Sequence, residues 1–214
     1  MYKRFLRVFQ RYFGILPSGS IRAKARRLRG VFGALDKEIS LFRKKTSLKC
    51  PEGCGDCCAT AGVETTELEM LPVALALAGR KKADDFYQRA GEQDFEGRCV
   101  FYTATEGCGG GCCAVYGQRP LICRLFGYAG NKDKHGRLRL VGCAVFKKTQ
   151  PDLAEAAYEG VFSGKIRIPV MTEWVMRAAA VDPAMAREQM PINTAFKRAL
   201  ERVWLNNKYG SQDQ

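Results

Sequence analysis

The sequence predicts a mainly α fold with a small β hairpin (α+β in the strict sense), with helices arranged around a cysteine-rich, irregular centre. Three observations predict it. Apolar residues recur at helical spacing on both sides of the middle of the chain. The middle, from Arg98 to Gly130, breaks short aromatic and β-branched runs with glycines. The chain's ten cysteines, four of them within "CPEGCGDCC" at Cys50 to Cys58, all lie between positions 50 and 143. An apolar content of 46% over 214 residues is ordinary for a globular protein, so crosslinks are not needed merely to fold.

At the N-terminus, Tyr2, Phe5, Leu6, Phe9, Tyr12, Phe13 and Leu16 line one helical face, with Lys3, Arg4, Arg7 and Arg11 on the others. "PSGS", Pro17 to Ser20, stops this helix. A second pattern, Leu28, Val31, Phe32, Leu35, Ile39 and Phe42, runs up to the first cysteine and completes a helical hairpin. Residues 1–50 hold 14 Lys+Arg against 2 Asp+Glu, whereas residues 51–214 hold 21 against 20, so the basic character belongs to an arm. The expected organisation is a basic amphipathic helical extension over residues 1–46, then a cysteine-cluster domain over residues 47–214 with a helical C-terminal part. Two partners suit the arm. An anionic membrane surface would take Phe5, Phe9 and Phe13 between its headgroups, and nucleic acid phosphates would meet "IRAKARRLR". Packing of both helices on the cysteine domain competes with either, because a periodic apolar stripe usually means packing.

Beyond Cys58, Thr66 and Glu69 stand at capping-box spacing ahead of a helix that ends near Gly79, and "KKADDFYQRA" reads as another short helix. A hairpin is expected with Cys99 to Tyr102 on one arm and Cys113 to Tyr116 on the other. "RLRLVGCAVF" adds a strand that brings Cys143 to the same place. From Pro151 to Tyr209 the pattern is helical again, with breaks at Gly160 to Pro169 and near Pro191. The longest apolar run, "MLPVALALAG", is about half of what a bilayer requires. The first twenty residues show no continuous apolar stretch of a secretory signal. A cytoplasmic protein is expected, with peripheral membrane contact left to the arm.

In a reducing compartment, closely set cysteines mean metal more often than disulfides. Thiolate is a soft ligand suited to zinc and to iron–sulfur centres, which would make the irregular centre metal-stapled. Neighbouring side chains point apart, so the adjacent pair Cys57–Cys58 implies two neighbouring centres, or one ligand beside one buried thiol. A lone cytosolic cysteine is most often a small buried hydrophobe, a reading that holds best for Cys58, Cys108 and Cys112. Arg119 and Arg124 flank Cys123 and suit the negative charge of a thiolate centre. His135, in the polar loop "NKDKHGR", is expected to be solvated. The spacing C-x3-C-x2-C also occurs in radical S-adenosylmethionine enzymes, but Asp56 replaces the usual aromatic and no repeated strand–helix units follow. A thioredoxin-like role for Cys54 and Cys57 would need a preceding strand, and a helix precedes them.

"CPEGCGDCC", "RCVFY" around Cys99, "CAVYGQRPLICR" from Cys113 to Arg124, and the later Cys143 together resemble the YkgJ-type cysteine-cluster family. That family is a zinc- or iron-chelating domain related to the flagellin lysine N-methylases. The resemblance covers about residues 48–145. It implies Cys50, Cys54, Cys57, Cys58, Cys99, Cys113, Cys123 and Cys143 as metal ligands. Cys108 and Cys112 sit in the insert "GCGGGCC", which departs from the family's shorter link, and are not counted. The implied function is binding of zinc or iron, an iron–sulfur cluster included. The implied alternative is an iron–sulfur-dependent transfer of a methyl group from S-adenosylmethionine to protein lysine. No acid, base or substrate pocket is evident in the residues, so enzymatic activity stays open.

Overall fold

The computed structural model describes residues 19–92, 97–104 and 111–209. The expected first helix, with Phe5, Phe9 and Phe13, lies outside them, as does Cys108. The second apolar pattern becomes α1 (Ile21–Thr46), which buries Leu28, Phe32, Leu35, Ile39 and Phe42 and leaves Arg22, Arg26 and Arg29 exposed. Ser20 caps its start, the hydroxyl accepting from the Ala23 N–H at 3.3 Å. Its end turns at Ser47, φ 60°, whose N–H donates to the Arg43 carbonyl, and Arg43, Lys44 and Lys45 complement the negative end of the helix dipole. The apolar face of this half of the basic arm is therefore packed into the core.

After the first cysteines come the one-turn helix α2 (Asp56–Ala59), strand β1 (Glu64–Thr66) and α3 (Glu67–Leu77). A helix buried almost all round, α3 is covered by α1 on one side and by the last helix, α9 (Ile192–Tyr209), on another. Thr66 caps it as its spacing predicts, accepting from the Glu69 N–H at 3.2 Å. The reciprocal half of the box differs. The buried Glu69 carboxylate accepts from the Thr66 hydroxyl at 3.4 Å with one oxygen and from the Leu121 N–H at 2.8 Å with the other, which ties α3 to the segment carrying Cys123. At the same end, Glu67 pairs with both arms of the Arg202 guanidinium on α9.

Helix α4 (Lys81–Glu92) also packs on α9, where Phe86, Phe101 and Phe196 stack edge to face at 5.1 and 4.8 Å. The expected hairpin exists but starts later: β2 (Tyr102–Thr103) pairs with β3 (Cys112–Cys113), Tyr102 opposite Cys113. Cys99 to Phe101 form a turn instead, because the Val100 N–H is taken by the Asn193 side chain at 2.9 Å. A 3-10 turn (Tyr116–Gln118) leads into α5 (Leu121–Leu125). The strand expected in "RLRLVGCAVF" is β5 (Leu138–Val141), paired with β4 (Ala129–Lys132), and Cys143 follows it as the N-cap of α6 (Ala144–Thr149). Helices α7 (Pro151–Phe162) and α8 (Met171–Ala179) follow, with the expected break between them. Then β6 (Gln189–Pro191) pairs antiparallel with β1 and joins the two ends of the fold. The buried apolar side chains of all these elements form one core, and none of the described helices is long and apolar enough to cross a membrane.

Candidate metal centre

Four stretches of chain bring thiols to one end of α1. The first is the loop from Lys49 to Ala59. Its entry is clamped in both directions by the Gln150 side chain, which accepts the Lys49 N–H at 3.1 Å and donates to the Lys49 carbonyl at 2.7 Å. The next N–H, of Cys50, donates to the Tyr128 hydroxyl at 2.9 Å. A turn at Gly53, φ 70°, closes with the Cys54 N–H on the Pro51 carbonyl at 3.1 Å, and α2 then carries Cys57 and Cys58.

The second stretch is docked to the first through its backbone. The Cys99 N–H donates to the Cys58 carbonyl at 3.2 Å, and the Ala114 N–H to the Phe101 carbonyl at 2.8 Å. Close approach of loop and hairpin depends on two glycines. A Cβ on Gly55 would lie 2.7 Å from the Tyr102 ring and 2.8 Å from the Gly111 carbonyl oxygen. Gly111 itself has φ 131°, where an L side chain is strained, and has no room for a Cβ against Tyr102. The third stretch, α5, presents Cys123 one turn after Pro120, and the fourth presents Cys143 at the start of α6.

The nine described cysteines are all free thiols. Cys58, Cys99 and Cys143 are buried, Cys54, Cys57, Cys113 and Cys123 half-buried, Cys50 and Cys112 exposed. Their mutual influence shows which stand together. Burial pushes Cys50 up to about 12, helped by its hydrogen-bonded neighbour Cys54 and by Cys57 and Cys143. Cys58 lies in hydrogen-bond contact with Cys113 and Cys57 and holds its proton well above the usual thiol range. The Cys58 contact lowers Cys57 to about 6 and Cys113 to about 7, against the effect of burial and with the help of the Arg119 guanidinium. Burial raises Cys99 to about 12, with Cys113 and Cys57 adding to it. It also raises Cys123, which senses Cys99, Cys57 and Cys113. Thiols that hold each other's protons in this way are a natural place for a cation, because a metal replaces the protons they cannot lose together.

All eight cysteines expected as ligands therefore come to one end of the fold, in two groups that meet at Cys57. One group holds Cys50, Cys54 and Cys143; the other holds Cys58, Cys99, Cys113 and Cys123. Among the described residues no three such side chains stand together closely enough to hold a metal ion as placed. Their donor chemistry fits zinc or iron: soft sulfur ligands, enough for two four-thiolate sets, with Cys57 and Cys113 already biased toward thiolate. The ninth described cysteine, Cys112, lines the same cleft as Cys50 and Cys113.

The two arginines expected beside Cys123 part company. Arg119 faces the thiols, held by hydrogen bonds from Nε to the Tyr116 carbonyl at 3.0 Å and from Nη1 to the Cys123 carbonyl at 3.1 Å. Arg124 instead turns into the fold, donating to the Arg119 and Gly117 carbonyls and to Asp36 of α1, with its guanidinium over Phe32. Its charge stabilises packing rather than thiolate. His135 is exposed, as expected, and its backbone N–H donates to Asp133 at 2.9 Å. Tyr128 and Gln150, which fix the first loop, carry no sequence signal, since they lie 78 and 101 positions from the groups they hold.

Above the thiols lies an open cleft of about 710 Å³, lined by cysteines from the first loop and the hairpin and by Arg43, Lys49, Tyr116 and Arg119. Compared with protein-family models, residues 49–150 match the CxxCxxCC family, described as "Putative zinc- or iron-chelating domain". Neither the curated proteins nor the solved structures contain a match to the chain.

Proposed function

We propose that this protein holds two thiolate-ligated metal centres side by side, a reading supported by the match of residues 49–150 to the CxxCxxCC family model of zinc- or iron-chelating domains. Cys58, Cys99, Cys113 and Cys123 serve the inner centre, and Cys50, Cys54, Cys57 and Cys143 the outer one. The observation that carries this reading is the contact of Cys58 with both Cys57 and Cys113, while Cys57 also reaches the Cys50 group. Of these adjacent residues on a one-turn helix, Cys58 stays with its own group while Cys57 reaches both, the position a ligand of a second centre needs. Bound metal would take the place of the thiol protons and crosslink four chain segments, so its binding energy adds to folding energy. Arg119 offsets the negative charge of the thiolates, Tyr128 and Gln150 fix the position of Cys50, and the Gly55–Gly111 contact keeps the loop against the hairpin.

The test is elemental analysis and a visible spectrum of anaerobically purified protein, repeated for Cys54→Ser and Cys58→Ser. Two equivalents of zinc in a colourless protein, or iron with sulfur-to-iron charge-transfer absorption, support the reading and decide between plain ions and iron–sulfur centres. Each variant is expected to lose the metal of one centre. Full metal content in both variants refutes the assignment.

A further inference from the structure

We propose that the cleft above the thiols binds a small organic molecule bearing a carboxylate or phosphate group, with Arg43 and Lys49 receiving its anionic end. The inference deepens the use of the same site and rests on the metal reading only for what lies beneath the ligand. Size is the first argument. The cleft measures about 710 Å³. One water molecule's share of liquid is about 30 Å³, and small-molecule pockets run from about 300 to 1,000 Å³. A bare zinc or iron ion is small against such a volume.

Charge is the second argument. Three cations line the cleft with one carboxylate, Glu52, and six cysteines; Arg119 faces the thiols, which leaves Arg43 and Lys49 against Glu52. Among the described residues none of the three has a carboxylate partner, whereas Lys24, Arg124, Arg198 and Arg202 are all paired. Arg119 is committed elsewhere, to two backbone carbonyls and to the thiols. Among the described residues Arg43 has the Tyr128 ring, 5.8 Å away, and no carboxylate. Its exposed guanidinium at the last turn of α1 is therefore available to an oxyanion, which it matches with paired N–H donors. Tyr116, 57% exposed and stacked under Arg119 at 3.6 Å, offers a flat wall for the rest of the molecule.

The experiment is calorimetric titration of the full metal-loaded chain with succinate and, separately, with glycerol 3-phosphate. Both are weak chelators, and the two arms tell carboxylate from phosphate. The expected result is saturable binding of at least one, weakened about tenfold or more in Arg43→Gln, since a charge-assisted hydrogen bond is worth about one decade of affinity or more. Lys49→Gln is expected to weaken it further. Both positions are exposed, and metal content is measured on every sample as a check on the fold. A metal-loaded chain that binds neither anion, or that binds them equally well with both substitutions, overturns the inference and leaves the metal reading standing. A chain without zinc or iron that still binds them supports the cleft and overturns the metal reading.

Discussion

Gly55→Ala is the smallest change that should separate the first cysteine loop from the hairpin. An alanine Cβ would sit 2.7 Å from Tyr102 Cε2, 2.8 Å from the Gly111 carbonyl oxygen and 3.0 Å from its carbon. Unstrained carbon contacts lie at about 3.5–4.0 Å, so the loop must retreat by roughly an ångström. The carbonyl belongs to backbone and cannot swing aside as a side chain would. Overpacking of this kind costs about 1–3 kcal/mol, or roughly 5- to 150-fold in the folding equilibrium. The same retreat carries Cys57 and Cys58 away from Cys113, so metal affinity should fall as well. Denaturant titration of metal-free and metal-loaded protein reads the first effect, and competition with a chromophoric zinc chelator reads the second. Gly117→Ala is the control: nothing lies within 4 Å of its Cβ, and it should stay within about 0.5 kcal/mol of the parent. Parental stability and parental zinc affinity in Gly55→Ala would refute the close-approach argument.

Three further outcomes are expected. Gly30→Ala and Gly33→Ala, both inside α1 with nothing within 4 Å, should each raise stability by about 0.5–1 kcal/mol in a denaturant titration, since only the helix entropy changes. Glu69→Ala strands the buried Leu121 N–H and should cost about 1–3 kcal/mol, while Glu69→Gln, which keeps an acceptor, should cost less; burial pushes the Glu69 carboxyl above its usual range, so its charged form is the expensive one. Burial acts to raise Asp182, but the Lys24 ammonium at 2.6 Å and the N–H groups of Met185 and Ala184 hold it below its usual value. The stability this supplies is present above the unfolded carboxyl's pKa, about 3.9, and is lost as pH falls through the lower folded value. Asp182→Asn should therefore be less stable than the parent at pH 7 and converge with it in acid, as followed by thermal melts across pH.

Much of the helical scaffold was legible because it is written in local spacing. Leu28, Phe32, Leu35, Ile39 and Phe42 recur every three or four residues, and that period alone puts them on the buried face of α1. Thr66 caps α3 for an equally local reason, since the N–H it serves is three residues away. Thiol chemistry was local too: nine positions holding four cysteines make soft metal the first expectation for the site. Spacing could not show where the Glu69 carboxylate goes, because its partner at Leu121 is 52 positions distant. Nor could it separate Arg119 from Arg124, four residues before and one residue after Cys123, of which only Arg124 is drawn to Asp36 and Phe32 of α1. The start of the hairpin moved to Tyr102 because Asn193, from the far end of the chain, captures the Val100 N–H.

The sequence by itself determined the longer described helices, the cap of α3 and the thiol-rich character of the centre, since each depends on residues within a turn or two of one another. Only the tertiary structure decided which thiol meets which, that Cys57 touches both groups of thiols, and that Arg43 and Lys49 line the cleft beside them with no carboxylate partner among the described residues. Those relations arise across long loops, whose path is set by core packing and single hydrogen bonds rather than by any repeating pattern.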